Sequence, residues 1–143
     1  MSAKRMTPRK VMVIEDNKVN QRIAKMITEQ IGHKCIQVLD GTKAVEACKA
    51  DKPDLIILDI QLGDVSGIDV AKDIRKLDDL KEVPIIVVTS MDAEEEKKQI
   101  IKESGCNHYI AKPFMPNHFV EAIAKFIPVL KVDWVMPEPE DEQ

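Results

Sequence analysis

Four candidate strands in this chain each run into a residue whose side chain can do chemistry. Val11 to Ile14 meets Glu15 and Asp16, Leu55 to Leu58 meets Asp59, Ile85 to Val88 meets Thr89, and Cys106 to Ala111 meets Lys112. Short, continuously apolar runs suit parallel strands buried on both faces, so their polar ends should emerge at one rim of a sheet. In open α/β sheets that rim, outside the carboxyl ends of the strands, is where ligands bind. The fold would thus gather Glu15, Asp16 and Asp59, although Asp59 is far from the other two in the chain. Crowded carboxylates either take up protons or hold a cation. Mg²⁺ is the natural cation, because it prefers hard oxygen ligands, retains several waters and is usually held by one or two carboxylates plus phosphate. A carboxylate is also a nucleophile toward phosphorus, which makes Asp59, or else Asp16, a candidate phosphoryl acceptor. Phosphoryl transfer asks for positioning and for positive charge near the equatorial oxygens. Lys112 supplies such a charge, and the Thr89 hydroxyl adds a donor.

The intervening segments read as the helices needed to hold those strands. From Val19 to Ile31 the apolar residues Val19, Ile23, Met26, Ile27 and Ile31 recur at helical spacing, and Gly32 suits the end of that helix. A weaker strand, Cys35 to Leu39, leads to a helix from about Thr42 to Ala50, with Ala44, Val45, Ala47 and Cys48 as its inner stripe. Beyond a loop at Gly63 to Gly67 a helix should run to about Leu77. A charged helix spans Met91 to Ser104, and Asn117 can cap a last helix reaching about Ile127. Strict alternation of strand and helix predicts a parallel sheet covered on both faces, joined by right-handed crossovers.

A length of 143 residues fits one domain. We divide the chain into an N-terminal tail over 1–9, a domain over 10–127 and an acidic, proline-containing tail over 128–143 with a single tryptophan, Trp134. The composition, 44% hydrophobic and 32% charged, is that of a folded protein. A net charge of −4 and a pI near 5.4 argue against general attraction to nucleic acid or anionic lipid. Cys35, Cys48 and Cys106 show no CxxC spacing, so they are expected to be small packing residues in a reducing compartment. There is no secretory signal pattern and no apolar run approaching the ~20 residues of a membrane span. The expected location is the cytoplasm.

Taken together, IEDNKVN at Ile14 to Asn20, LILDIQL around Asp59, VVTS at Val87 to Ser90 and YIAKPF at Tyr109 to Phe114 resemble the receiver family of two-component signalling. The likeness covers about Lys10 to Ile127. It implies a flavodoxin-like (βα)5 fold: a doubly wound, five-stranded parallel sheet of strand order 2-1-3-4-5, the order exemplified by the chemotaxis member of the family. It further implies that Asp59 accepts the phosphoryl group, that Asp16, Asp59 and the backbone carbonyl of Gln61 bind Mg²⁺, and that Glu15 acts largely through water. Lys112 would bind phosphate, Thr89 would be the switch hydroxyl, and Tyr109 the ring that turns with it. The Lys112–Pro113 bond is often cis in the family.

One departure stands after Asp59, where many members have a proline in the next turn and this chain reads Gln61, Leu62, Gly63. Either the loop is more mobile or Gly63 merely suits the turn. Gln61 and Met91 are candidates for flanking the hydrolytic water. The expected partners are a histidine kinase or histidine phosphotransferase, more often docked on the first helix, and a downstream protein on the helix 4, strand 5, helix 5 face, about Asp92 to Ile127. Dimerisation on phosphorylation is a further possibility, and no enzymatic output is expected. The layout, including DIQL and GDVSG, is most similar to stand-alone, single-domain cell-cycle regulators of the DivK type. A receiver excised from a hybrid kinase and a phosphorylation-independent scaffold are the alternatives. A haloacid-dehalogenase-like phosphatase needs a second acid where Gln61 stands.

Overall fold

The computed structural model describes residues 7–63, 65–90, 94–113 and 115–131. Met91 and Trp134, singled out above, lie outside them. Within the described residues the chain alternates as β1 Lys10–Ile14, α1 Lys18–Gln30, β2 Lys34–Val38, α2 Ala44–Asp51, β3 Leu55–Asp59, α3 Gly67–Arg75, β4 Ile85–Thr89, α4 Glu94–Ser104, β5 His108–Ala111 and α5 Pro116–Ala124. The strands form one parallel sheet in the order β2-β1-β3-β4-β5, which is the doubly wound, flavodoxin-like arrangement expected. Strands β3 and β4 are buried at every position, which is why their sequences carry no polar alternation.

Successive strand residues point to opposite faces, and two cores result. Val11, Val13, Leu55, Ile57, Ile86 and Val88 pack against Ala24 and Ile27 of α1 and Phe119 and Ile123 of α5. Met12, Ile14, Ile56, Leu58, Ile85 and Val87 face the other way, against Cys48 of α2, Val70 and Ile74 of α3, and Ile100 of α4. The three cysteines are free; Cys48 and Cys106 are buried, and burial pushes the Cys48 thiol up to about 11 and the half-buried Cys35 thiol up to about 12. They behave as packing residues.

Two expectations are corrected here. Of the expected α1 stripe, Ile27 and Ile31 are buried and Ile23 packs half-buried on the core, but Val19 and Met26 are 57% and 41% exposed; Gln21, Ala24 and Thr28 complete the inner face. The helix is rotated because Gln21 is drawn inward by backbone carbonyls, as described below. Nor does Asn117 cap the last helix. Met115 takes the cap position, Pro116 opens the helix, and Asn117 lies within it. Proline suits that opening because its missing N–H would have no helical partner there. Asn17 does cap α1, accepting the Asn20 N–H at 2.8 Å.

The end of the sheet opposite the strand termini of interest is closed by His33. Its Nδ1 accepts the Arg9 N–H at 2.9 Å and its Nε2 lies 2.6 Å from the Pro128 carbonyl, so the ring carries its proton on Nε2 and donates it. The Leu130 and Lys131 N–H groups donate to the Ile31 carbonyl at 2.9 and 3.3 Å. Residues 128–131 are thus fixed to the turn that follows α1. Burial pushes His33 below its ordinary value of 6.5; the nearby Arg9 charge adds to this, while the Pro128 bond and Asp54 oppose it. A histidine with a depressed folded pKa contributes stability that is complete above its unfolded value and is lost as the pH falls toward the folded one. His33→Gln should therefore lower the Tm most above about pH 6.5, by an amount equivalent to about 1 kcal/mol. The gap from wild type should narrow as the pH falls below about 6.5 and the wild-type imidazole charges. A gap independent of pH in thermal denaturation would contradict the assigned tautomer.

Candidate functional site

Strand register assembles the site. Ile14 pairs with Leu58, so Glu15 and Asp59 leave adjacent strands side by side. On the other flank Asp59 pairs with Val88 and Thr89 with Ala111, and the Lys112 N–H donates to the Thr89 carbonyl at 2.9 Å. Glu15, Asp16, Asp59, Thr89 and Lys112 therefore share one end of the sheet.

Asp59 is 2% exposed, yet both of its oxygens have partners. Oδ2 receives the Lys112 Nζ at 2.8 Å and Oδ1 the Gln61 N–H at 3.0 Å. Glu15 is equally buried. Its Oε2 accepts the Asn17 N–H at 3.1 Å, and its Oε1 has no partner. Burial pushes the Glu15 carboxyl up to about 7, reinforced by the negative charge of Asp59 and opposed by the Asn17 N–H and the Lys112 charge. Carboxylate oxygens of Glu15, Asp16 and Asp59 lie within 4.8 Å of one another. Three hard oxygen donors, one of them a buried orphan, with Asp16 open to solvent, fit a small divalent cation such as Mg²⁺.

Backbone features fix these groups. Gln61–Leu62 and Val65–Ser66 form a short antiparallel ribbon that the loop reading did not anticipate. Gly63 sits in its turn at φ +72, a conformation glycine adopts without strain. This favours the reading that Gly63 suits the turn. At Gly67 the start of α3 presses on the strand end itself: its N–H donates to the Ile60 carbonyl at 2.8 Å, and a Cβ there would lie 2.2 Å from the Asp59 carbonyl oxygen. Only glycine fits.

The residue missed from sequence is Gln21. Its Nε2 reaches the carbonyls of Val13 at 2.8 Å and of Glu15 and Val38 at 3.1 Å, tying α1 to the ends of β1 and β2 beneath the acidic loop. A polar residue interrupting the inner face of a helix was the available signal. Tyr109, by contrast, is not in the pocket. It pairs with Val87, two residues before Thr89, and packs half-buried with the Lys97 Nζ 5.0 Å from its ring centre. The Lys112–Pro113 peptide is cis.

Comparison with known proteins agrees with this geometry. Residues 11–124 match the response regulator receiver domain family. The chain belongs to that family. It is 36% identical over 122 residues to the polar-differentiation response regulator DivK of Brucella anthropi, covering 84% of this chain and 97% of the relative. The DivK of Brucella melitensis is 35% identical over 119 residues, covering 82% and 94%. The fold is similar to that of the chemotaxis protein CheY4 of Vibrio cholerae, with a TM-score of 0.79 at 23% identity over 85% of this chain and all (100%) of the other. It also resembles the receiver domain of a Pseudomonas aeruginosa sensor histidine kinase, solved with a magnesium ion in its active-site cleft. There the TM-score is 0.75 and the identity 26%, over 84% and 98% of the two chains. Receiver domains act in two-component signalling, exchange signals with histidine kinases or phosphotransfer proteins and with downstream targets, and bind Mg²⁺ at an acidic pocket.

A carboxyl whose pKa is raised on folding stabilises the fold while protonated. That contribution is complete below the unfolded value of 4.5 and is lost as the pH rises through about 7. Metal-free protein should therefore lose Tm between about pH 4.5 and 7, and Glu15→Gln should remove most of that slope. Mg²⁺ should restore the wild-type Tm at the alkaline end and release protons on binding near neutrality, as titration calorimetry in two buffers would record. A flat wild-type profile would remove Glu15 from the cluster.

Proposed function

We propose that Asp59 accepts a phosphoryl group from a phosphohistidine on a kinase or phosphotransferase, and that the chain is a single-domain response regulator. The observation that carries this reading is the buried Asp59 carboxylate at the end of β3, held between Lys112 and the Gln61 N–H inside a three-carboxylate cluster. In the transfer, an Asp59 oxygen attacks phosphorus while the phosphorus–nitrogen bond to the donor imidazole breaks, its electron pair leaving with the nitrogen. Lys112 exchanges Asp59 Oδ2 for a phosphoryl oxygen, since the acyl phosphate carries its charge further out. Thr89 donates its hydroxyl to another of those oxygens, and the half-buried Tyr109 ring two residues before Ala111 follows that movement. Asp16, Asp59 and the Gln61 backbone carbonyl would hold Mg²⁺, with Glu15 acting through water; when bound, the ion neutralises charge building on the transferring group.

Several observations support the finer reading. Near-complete coverage of the DivK relatives favours a single-domain regulator over a receiver excised from a hybrid kinase. The exposed Val19 and Met26 give α1 an apolar surface for the phosphodonor. The downstream protein would read the face of α4, β5 and α5, where Lys97 and Tyr109 meet, and the same face would serve any phosphorylation-dependent homodimer. The domain would span 10–127, with tails on either side. We place it in the cytoplasm, away from nucleic acid and membranes: the net charge is −4, and among the described residues no helix is long and apolar enough to cross a membrane. It would act as a switch, with no catalytic output of its own.

Incubation with acetyl phosphate and Mg²⁺ should add one phosphoryl group by intact mass, base-labile and absent from Asp59→Ala. An adduct that survives in Asp59→Ala, or none in wild type, would overturn the assignment. Lys112→Ala should slow phosphorylation by about 10²-fold, the typical effect of losing one preorganised charge or donor at a transition state. Gln61 is exposed beside Asp59, so its exchange, and that of Met91, should alter the half-life of the phosphorylated protein. Unchanged decay in both variants would remove them from the hydrolytic water.

A further inference from the structure

Asp16 is the exposed member of the acidic cluster, and among the described residues no hydrogen bond or ion pair holds its carboxylate. Where that carboxylate stands is therefore set by the backbone of residues 15–17. Gln21 holds this backbone on both sides of Asp16. Its side-chain Nε2 donates to the Glu15 carbonyl at 3.1 Å, and its main-chain N–H donates to the Asn17 carbonyl at 3.0 Å. The loop is closed from within by the Asn17 N–H, which donates to Glu15 Oε2 at 3.1 Å. We propose that Gln21 is the positioning residue of the Mg²⁺ site: without being a ligand itself, it fixes from beneath the loop that presents Asp16 to a cation shared with Asp59. The inference rests on Mg²⁺ binding at the acidic cluster and is independent of whether Asp59 accepts a phosphoryl group.

The same amide refers the loop to the sheet. Gln21 Nε2 also reaches the carbonyls of Val13 in β1 at 2.8 Å and of Val38, the last residue of β2, at 3.1 Å. Three carbonyls converging on one nitrogen fix which way the amide faces and share its two hydrogens. The Val38 carbonyl accepts the Glu15 N–H as well, at 3.0 Å, and Gln37 of β2 donates from its Nε2 to the Gln21 carbonyl at 3.3 Å. Of the polar groups of Gln21, only Oε1 has no partner. Packing gives no reason for such a residue here. Ala24, Ile27 and Ile31 already supply a buried apolar face, and an amide in that place must be satisfied where an apolar side chain of the same shape need not be. What the amide adds is the position of residues 15–17, and with it the direction in which Asp16 points. Groups that orient metal ligands from behind typically change metal affinity by roughly 10–100-fold when they are removed.

Titration calorimetry of the full chain with magnesium chloride tests this without any phosphorylation step. Gln21→Met keeps the length of the side chain and removes its donors, and should bind Mg²⁺ about tenfold or more weakly. Gln21→Asn withdraws the amide by one methylene; it should also bind more weakly, and it carries the test if circular dichroism shows Gln21→Met unfolded. Ile27→Ala, a core truncation on the same face of α1, should lower the Tm while leaving Mg²⁺ affinity as in wild type, which separates positioning from general destabilisation. With acetyl phosphate as donor, the Mg²⁺ concentration giving half the maximal rate should rise in the Gln21 variants by the same factor as the dissociation constant, and the rate at saturating Mg²⁺ should stay close to wild type. Unchanged Mg²⁺ affinity in both Gln21 variants would overturn the proposal, as would an equal loss in Ile27→Ala. Asp16→Ala tests the reading beneath it: undiminished Mg²⁺ binding in that variant, or none in wild type, would remove the ion from the acidic cluster and the role of Gln21 with it.

Discussion

The contact between Lys112 Nζ and Asp59 Oδ2, 2.8 Å long with the lysine 25% and the aspartate 2% exposed, is the interaction around which the molecule is arranged. A carboxylate this deeply buried must be paired, because an isolated charge in such a place would be forced to neutralise. The pair requires β5 to lie against β4 and β4 against β3 in one register, so that Lys112 arrives beside Asp59 from the far flank of the sheet. It also requires that the second buried acid, Glu15, not add a full negative charge of its own. Burial and the neighbouring Asp59 meet that requirement by lifting Glu15 to about 7, leaving it poised between neutral and charged at physiological pH. One lysine for three crowded acids leaves a cluster that gains from any further positive charge.

That deficit connects the structure to signalling. In the proposed transfer, a group on Asp59 would remove the carboxylate that Lys112 now holds and offer it a larger, more negative partner instead. Lys112 is bonded through its own N–H to Thr89, the end of β4, so a change at its side chain is felt where Thr89 and β5 meet. Tyr109 lies two residues upstream on β5, half-buried, with Lys97 of α4 over its ring. In the proposed switch, a change at the pocket would reach the Tyr109 ring along this strand. The proposed output surface thus lies beside the strand that carries the charge balance.

Much of this was legible in the sequence for a definite reason. Strands buried on both faces have no choice but to be apolar throughout, and their ends have no choice but to be polar where they meet solvent. Hence β1, β3 and β4, and with them Asp16, Asp59 and Thr89, stood out as runs and terminators. What was not legible depends on backbone partners distant in sequence. Gln21 reads as an ordinary helix residue until the carbonyls of Val13, Glu15 and Val38 are seen to converge on it. Arg75 likewise reads as a surface cation, yet it donates to the carbonyls of Leu80, Val83 and Gly105 and to Asn107, bracing the far end of the sheet. The requirement for glycine at position 67 is invisible without the 2.2 Å approach to Asp59. Periodicity gave the existence of α1 but not its rotation, because helical spacing treats Val19 and Ala24 as equally good candidates for the inner face.

That rotation has a consequence for how the pocket is addressed. A polar residue on the inner face of α1 would ordinarily be a defect, since an amide buried without partners costs more than an apolar side chain of the same shape. Here Gln21 instead carries the helix directly onto the carbonyls of β1 and β2 that set the position of Glu15. The same turn of helix that brings Gln21 inward leaves Val19 and Met26 outward, so the proposed docking face and the clamp beneath the acidic loop are two sides of one helix. Anything that binds the outer side would grip the helix that holds the acidic loop. The exposed stripe and the buried amide are therefore one feature: moving either to the other face would detach the proposed docking surface from the acidic cluster.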